Sequence, residues 1–199
     1  LDFAGVQIFT SYDGRPLDAD EFSPFFEVAA ALGVPVWIHP RTHEWYDWTR
    51  EYSIHKMLGW PFETGLAVAR LVFGGVFERH PELDVVTHHT GGIVPFLGER
   101  IRGYYEKEDR SEWADLARPV GSYLEQIYAD TMIHGSVPAL ELGRDVFGPD
   151  RLIFGTDYPF GPGNGREYVE VTTRSVEAME CSPSERAAIF GGNVDSLLG

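Results

Sequence analysis

Three side chains that can bind a metal or carry a proton each follow a short apolar run. His39 follows VPVWI, His89 follows LDVVTH, and Asp157 follows RLIFGT. Imidazole and carboxylate ligate zinc, manganese or ferrous iron at about 2.0–2.2 Å. His39 and Asp157 make two ligands, whereas a catalytic zinc commonly takes three from the protein and keeps one position for water. His89 can fill the third place, giving two histidines and one carboxylate. It can equally stay off the metal and work on the substrate as acid, base or electrostatic clamp. The residues alone leave both open. A lone histidine at a strand end is usually a hydrogen-bonded packing residue; three coincident strand ends tip the balance toward a site.

The surroundings of these residues differ in what they can contribute. Gly155 allows a close backbone approach just before Asp157, and Pro159 stops the strand. A carboxylate there can bind metal and accept a proton from bound water, or simply cap the following turn. Asp130, at another strand end, is balanced between orienting a site histidine and tying down a loop. His88 precedes His89, and adjacent strand residues point to opposite faces, so at most one of them should reach the site if the strand continues. Arg41, two residues after His39, is a candidate fork for a substrate carboxylate, or an exposed surface arginine. Trp45, with Tyr46, Trp48 and Trp60, is a candidate wall for a planar substrate, although such aromatics more often pack a long loop on the core. His43, His55 and His134 read as solvated or packing residues.

Short apolar runs bounded by Gly or Pro read as buried parallel strands, and the C-terminal ends of such strands are where a (β/α)8 barrel keeps its chemistry. Five are expected: 5–10, 34–38, 83–87, 127–129 and 151–154. Helices are expected over 21–32, 64–78, from Pro95, from Ser136 to Gly148, and over 167–179. In the first, Phe22, Phe25, Phe26, Ala29 and Leu32 share one face, and Gly33 fits the left-handed residue that follows a helix. Ser182 and Glu185 have capping-box spacing. A long loop runs from Pro40 to Ser53, and no hairpin is expected. The alternation predicts an α/β fold with a parallel sheet. A closed barrel needs eight strands and about 250 residues, so this count leaves it open by about three units.

The 199 residues read as one domain, 1–199, with no repeat or linker. A net charge of -15 argues against nucleic-acid and anionic-membrane partners. Gly161 and Gly163 follow Asp157 without Walker or GxGxxG spacing, so nucleotide binding is unsupported. The single cysteine, Cys181, forms no internal disulfide and suits a reducing compartment such as the cytoplasm. The best apolar run, 65–77, contains Arg70 and is too short to span a bilayer. The first residue is Leu1 rather than Met, with no signal peptide in view, and a missing natural start is expected.

His39-Pro40 closing a strand, then His89-Thr90-Gly91-Gly92-Ile93-Val94-Pro95, then Gly155-Thr156-Asp157-Tyr158-Pro159, in that order, resemble the amidohydrolase-related family. Its members include aminocarboxymuconate semialdehyde decarboxylase and the aromatic acid decarboxylases of the γ-resorcylate type. The similarity covers nearly the whole chain. The resemblance implies a metal-dependent (β/α)8 TIM barrel. His39 matches the metal ligand of the fifth strand, and Asp157 that of the eighth. His89 matches the sixth-strand histidine that works beside the metal on water or substrate; the spacing to Gly91-Gly92 and Pro95 fits His89 rather than His88. Asp130 falls in the seventh-strand Tyr-x-Asp pattern, here Tyr128-Ala129-Asp130. The family's first strand carries His-x-His, which occurs nowhere in this chain. GVQIFT resembles the fourth strand, so strands four to eight are expected, with the first three missing. That agrees with the strand count.

The activity implied is a metal-dependent decarboxylase, a carbon–carbon lyase acting on an aromatic or unsaturated carboxylic acid. Protonation of the carbon beside the carboxylate by a site acid makes the ring an electron sink, and carbon dioxide leaves. One alternative is a metal-dependent hydrolase of an ester, lactone or amide, in which Asp157 moves the proton of an activated water and His89 steadies the oxyanion. Another is a catalytically incomplete fragment that lacks the first-strand His-x-His. The implied cofactor is a divalent metal ion, zinc first and manganese second. The implied partners are a small-molecule carboxylic acid and a second copy of the chain in a homodimer.

Overall fold

The structure, a computed structural model, describes residues 3–42 and 47–199. Trp45, expected as a substrate wall, lies outside the described residues, as do His43 and Tyr46. The strands are β1 (Val6–Phe9), β2 (Ser11–Tyr12), β3 (Arg15–Pro16), β4 (Val36–His39), β5 (Val85–Thr87), β6 (Ile127–Asp130) and β7 (Leu152–Ile153). Five of them form one all-parallel sheet in the order β1-β4-β5-β6-β7. Each main strand therefore lies beside the next one in the chain. A doubly wound sheet reverses its order at a switch point, whereas this winding is that of a barrel wall.

The helices are α1 (Ser23–Leu32), α2 (Trp60–Phe73), α3 (Val76–Arg79), α4 (Val94–Tyr105), α5 (Val120–Leu124), α6 (Val137–Phe147), α7 (Arg166–Ala178), α8 (Pro183–Ala187) and α9 (Asn193–Leu198). Helices α1, α2, α4 and α6 each carry a proline in the first turn, where a missing N–H leaves no bond unmade. Helix α1 ends at Gly33 in the left-handed conformation (φ 62°), and Ser182 and Glu185 close the expected capping box on α8. Among the described residues no helix is long and apolar enough to cross a membrane.

Three local features differ from the sequence reading. The helix expected over 64–78 starts at Trp60 and breaks at Gly74-Gly75, because Gly75 takes φ 72°. The second part of the expected loop is helical, with 3-10 turns over Asp47–Ser53, and a π-type turn over His55–Gly59 follows it. A hairpin also exists: β2 and β3 pair antiparallel around Asp13 and Gly14, both with positive φ. Asp-Gly favours such a turn, but strands of two residues show no apolar alternation to read.

Period two separates the two faces of the sheet. Val36, Ile38, Val85, Ile127, Ala129 and Leu152 belong to the main core, which includes Phe26, Leu71, Leu140 and Phe147 from the helices. The alternate residues Val86, Tyr128 and Ile153 form a smaller cluster with Leu197 of α9, flanked by Trp37 and Val194. Trp37, Val86 and Tyr128 are in register across β4, β5 and β6. Two residues further along each strand, the same inner face carries His39, His88 and Asp130.

Candidate metal centre

His39 closes β4 on this inner face. Its Nδ1 lies 2.7 Å from the carbonyl oxygen of Pro40. A carbonyl only accepts, so Nδ1 carries the hydrogen and Nε2 is left with its lone pair, the form in which a histidine binds metal. Asp157 follows β7 with φ 60°. It is reached through Gly155, where an added Cβ would stand 2.8 Å from the Cβ of Asp130. The two backbones approach so closely that no side chain fits between them.

His89 arrives differently. His88 is still extended (φ -83°, ψ 163°), but His89, Thr90, Gly91 and Gly92 all have positive φ, from 52° to 75°. The strand geometry stops there, and the alternation of faces stops with it. At most one of His88 and His89 was expected to reach the site if the strand continued. Both rings lie near that of His39, at centroid distances of 4.9 Å and 5.7 Å. Asp130 holds the turn in place. Its Oδ1 accepts from the N–H groups of Thr90 (3.3 Å) and Met132 (3.0 Å), and its Oδ2 lies 3.0 Å from His88 Nδ1. Asp130 thus ties down the loop and orients a histidine at once.

Ligand atoms of His39, His89 and Asp157, one from each residue, all lie within 4.8 Å of one another. Two ligands about 2.1 Å from one ion stand up to roughly 4.2 Å apart, so the set is close to sharing a cation. His89 Nδ1 is buried with no hydrogen-bond partner among the described residues. An orphan of this kind costs about 1–3 kcal/mol unless a ligand meets it. Two imidazoles and a carboxylate also suit a borderline-soft divalent ion. The residues present therefore fit such a metal.

Burial pushes the His39 imidazole below its ordinary pKa, and the neighbouring His88 adds to this. Burial pushes His89 down as well, opposed in part by Asp130. Both rings favour the neutral, ligand-competent form. The unfolded chain then binds more protons than the folded one below the ordinary value of 6.5, and stability falls with pH from there toward the folded pKa values. We expect these two histidines to leave the melting temperature of chelator-treated protein unchanged above about pH 7 and to lower it as the pH falls below about 6.5. His39→Gln and His89→Gln should each flatten that drop; a slope unchanged in both would contradict the buried, neutral assignment.

Two cavities meet at the centre. One of about 490 Å³ runs down the inner face of the sheet past Trp37, His39, His88, Asp130 and Asp157. The other, about 410 Å³, opens among the loops past Lys56, Trp60, His89, Met132, Tyr168 and Asp157. Asp157 borders both. Trp60 lies almost parallel to His89 (10°, centroids 6.3 Å apart) and donates its Nε1–H to Thr42 Oγ1 at 3.2 Å. It faces the second cavity, and His134 faces the same space against Tyr168. Arg41 borders neither cavity; its Nη1 reaches the carbonyl oxygen of Ser11 at 3.5 Å. His88 stands beside the centre although the sequence reading passed it over. Counting by twos from Val86 is the signal that finds it.

The sequence matches the amidohydrolase family profile over residues 1–199. It is 32% identical over 202 residues to the 2-amino-3-carboxymuconate-6-semialdehyde decarboxylase of Dictyostelium discoideum, covering 100% of this chain and 54% of that protein. Its fold is similar to that of apo IDCase from Metarhizium anisopliae, with a TM-score of 0.85 and 33% identity over 98% of this chain and 56% of that one. It is also similar to a dihydroxybenzoic acid decarboxylase from Polaromonas sp., solved with manganese and the inhibitor 2-nitroresorcinol (TM-score 0.81, 25% identity, 98% of this chain and 60% of that one). The chain spans about half the length of the curated relatives it matches, and its sheet is an incomplete barrel.

Proposed function

The chain belongs to the amidohydrolase family, and from that premise we propose that it carries the metal-binding face of a decarboxylase for an aromatic or unsaturated carboxylic acid. The observation that carries this reading is the approach of His39, His89 and Asp157 to within 4.8 Å from three separate strand ends. In this reading His39 and Asp157 hold a divalent cation. Zinc is the proposed ion, and manganese, present in the Polaromonas relative, is its competitor. When bound, the cation supplies positive charge that fixes the substrate's oxygens and offsets negative charge developing on them.

The chain's own residues do the rest. Trp60 offers a flat apolar wall beside His89 for the substrate ring. His89, kept neutral by burial, meets the substrate through a hydrogen bond rather than an ion pair. Asp157 borders both cavities, so its carboxylate is placed to take the proton of a substrate hydroxyl or carboxyl group and pass it to the carbon that bears the carboxylate. As that carbon–carbon bond breaks, its electron pair returns to the ring's π system, the new C–H bond remains and carbon dioxide departs. A cytoplasmic location is proposed from the free thiol of Cys181, which suits a reducing compartment.

The test is carbon dioxide release by the purified, metal-loaded chain against a panel of hydroxybenzoic and muconate-like acids. Release from at least one acid, abolished by a chelator, is the expected result. Cleavage of esters or lactones without carbon dioxide release would replace the lyase with a hydrolase. Inactivity on the whole panel with no metal uptake would leave only the incomplete fragment.

A further inference from the structure

His88 is the one histidine at the centre to which the proposed chemistry gives no role. It lies on the inner face, two residues past Val86, and lines the same cavity as His39 and Asp157. Its Nδ1 is tied to Asp130 Oδ2 at 3.0 Å. The carboxylate accepts, so a hydrogen sits on Nδ1, and in the neutral ring Nε2 keeps its lone pair. That Nε2 is buried and has no partner among the described residues. The adjacent ring is His39, at 4.9 Å and 61°, and its Nδ1 is likewise tied back, to Pro40. Two imidazoles side by side, each with only an acceptor nitrogen left, cannot bond to each other. Each lone pair calls for a donor or a cation, and one divalent cation can meet both at once.

We propose that His88 is a further ligand of this centre through Nε2, with Asp130 behind it as the carboxylate that fixes its tautomer. The proposal rests on the metal-binding reading above. A carboxylate–histidine–metal chain is a common way to orient a ligating imidazole and raise its basicity. His88 is not among the three side chains within 4.8 Å of one another. Ligation through Nε2 therefore requires the ring to move toward the ion, on the side of the cavity it shares with His39 and Asp157. The coordination set would then draw on His39 at the end of β4, on His88 just past β5, and on Asp157 in the turn after β7.

Two substitutions separate a ligand from a packing residue. His88→Phe keeps a flat ring and removes both nitrogens. Asp130→Asn keeps Oδ1 for the N–H groups of Thr90 and Met132, but presents an N–H to His88 Nδ1 and so drives the hydrogen onto Nε2. Zinc affinity is measured by competition with a chromophoric chelator, and the visible bands of the cobalt-loaded protein report coordination. Both variants should bind zinc about 10- to 100-fold more weakly, with altered cobalt bands. If His88→Phe fails to fold by circular dichroism, Asp130→Asn decides alone. Parent-like affinity and cobalt bands in the folded variants overturn the role of His88 and leave the metal centre standing. A parent chain that takes up neither zinc nor manganese overturns both.

Discussion

Asp157→Asn is expected to lower metal affinity by more than about 100-fold and to take decarboxylation with it, while the melting temperature of the metal-free protein stays near that of the parent. Asparagine is the informative substitution because Asp157 has φ 60°. Asn tolerates this backbone region, whereas most other residues add strain there. The change therefore removes the charge and leaves the turn in place. A neutral amide is a poor ligand for a divalent ion and is too weak a base to take up and pass on a proton. Both proposed roles of this side chain fail together. His89→Gln should behave differently: turnover falls, and metal is retained in so far as His39 and Asp157 hold it. Metal content by elemental analysis and carbon dioxide release, measured on the same preparations, separate the two residues. An Asp157→Asn protein that still holds a full complement of zinc would remove Asp157 from the ligand set.

Strands β4 to β7 were legible because each is a continuous apolar run, as expected where both faces of a strand are covered, whereas β1 includes Gln7 and alternates partly buried with exposed residues. Val85 and Val86, Ile127 and Tyr128, and Leu152 and Ile153, neighbours on opposite faces, are indeed all buried. Strand ends were legible for the same reason, and His39 and the turn bearing Asp157 stand where those runs stop. Helix boundaries were harder. Trp60 and Pro61 begin α2, but the apolar periodicity shows only from Thr64 onward, and the Gly74-Gly75 break depends on a backbone choice rather than on a pattern of side chains. The least legible part was the end of β5. The sequence HHTGG offers two glycines, but not that His89 and Thr90 would also adopt positive φ. That choice is made by Asp130, forty residues away in the chain, whose carboxylate collects the Thr90 N–H and the His88 ring. A motif based on spacing can identify His89 and still miss that its neighbour shares the site.

Gly92→Ala should be the most destabilising single-methyl change near the site. Gly92 has φ 62° and ψ -121°, a combination open almost only to glycine. Its missing Cβ would stand 2.3 Å from the carbonyl oxygen of Pro61, 3.1 Å from that residue's carbonyl carbon and 3.0 Å from Thr64 Cβ. These are mostly backbone atoms of the first turn of α2, so no flexible side chain can move aside. Backbone strain alone costs about 1–3 kcal/mol, and the displaced helix adds to it, for a total of about 3–5 kcal/mol. For a chain of this size each kcal/mol lowers the melting temperature by roughly 2–4 °C, giving a drop of roughly 6–20 °C. The centre should loosen too, because Trp60, which lies against His89, directly precedes Pro61. Gly103→Ala is the internal control. Gly103 lies inside α4 with nothing within 4 Å of an added Cβ. There the methyl should stabilise the helix by about 0.5–1 kcal/mol. The two substitutions are chemically identical, so melts that shift in opposite directions would locate the requirement for glycine in the turn that carries His89. Two parent-like melts would show that this turn tolerates a side chain, and that its left-handed path is not what holds the histidines in place.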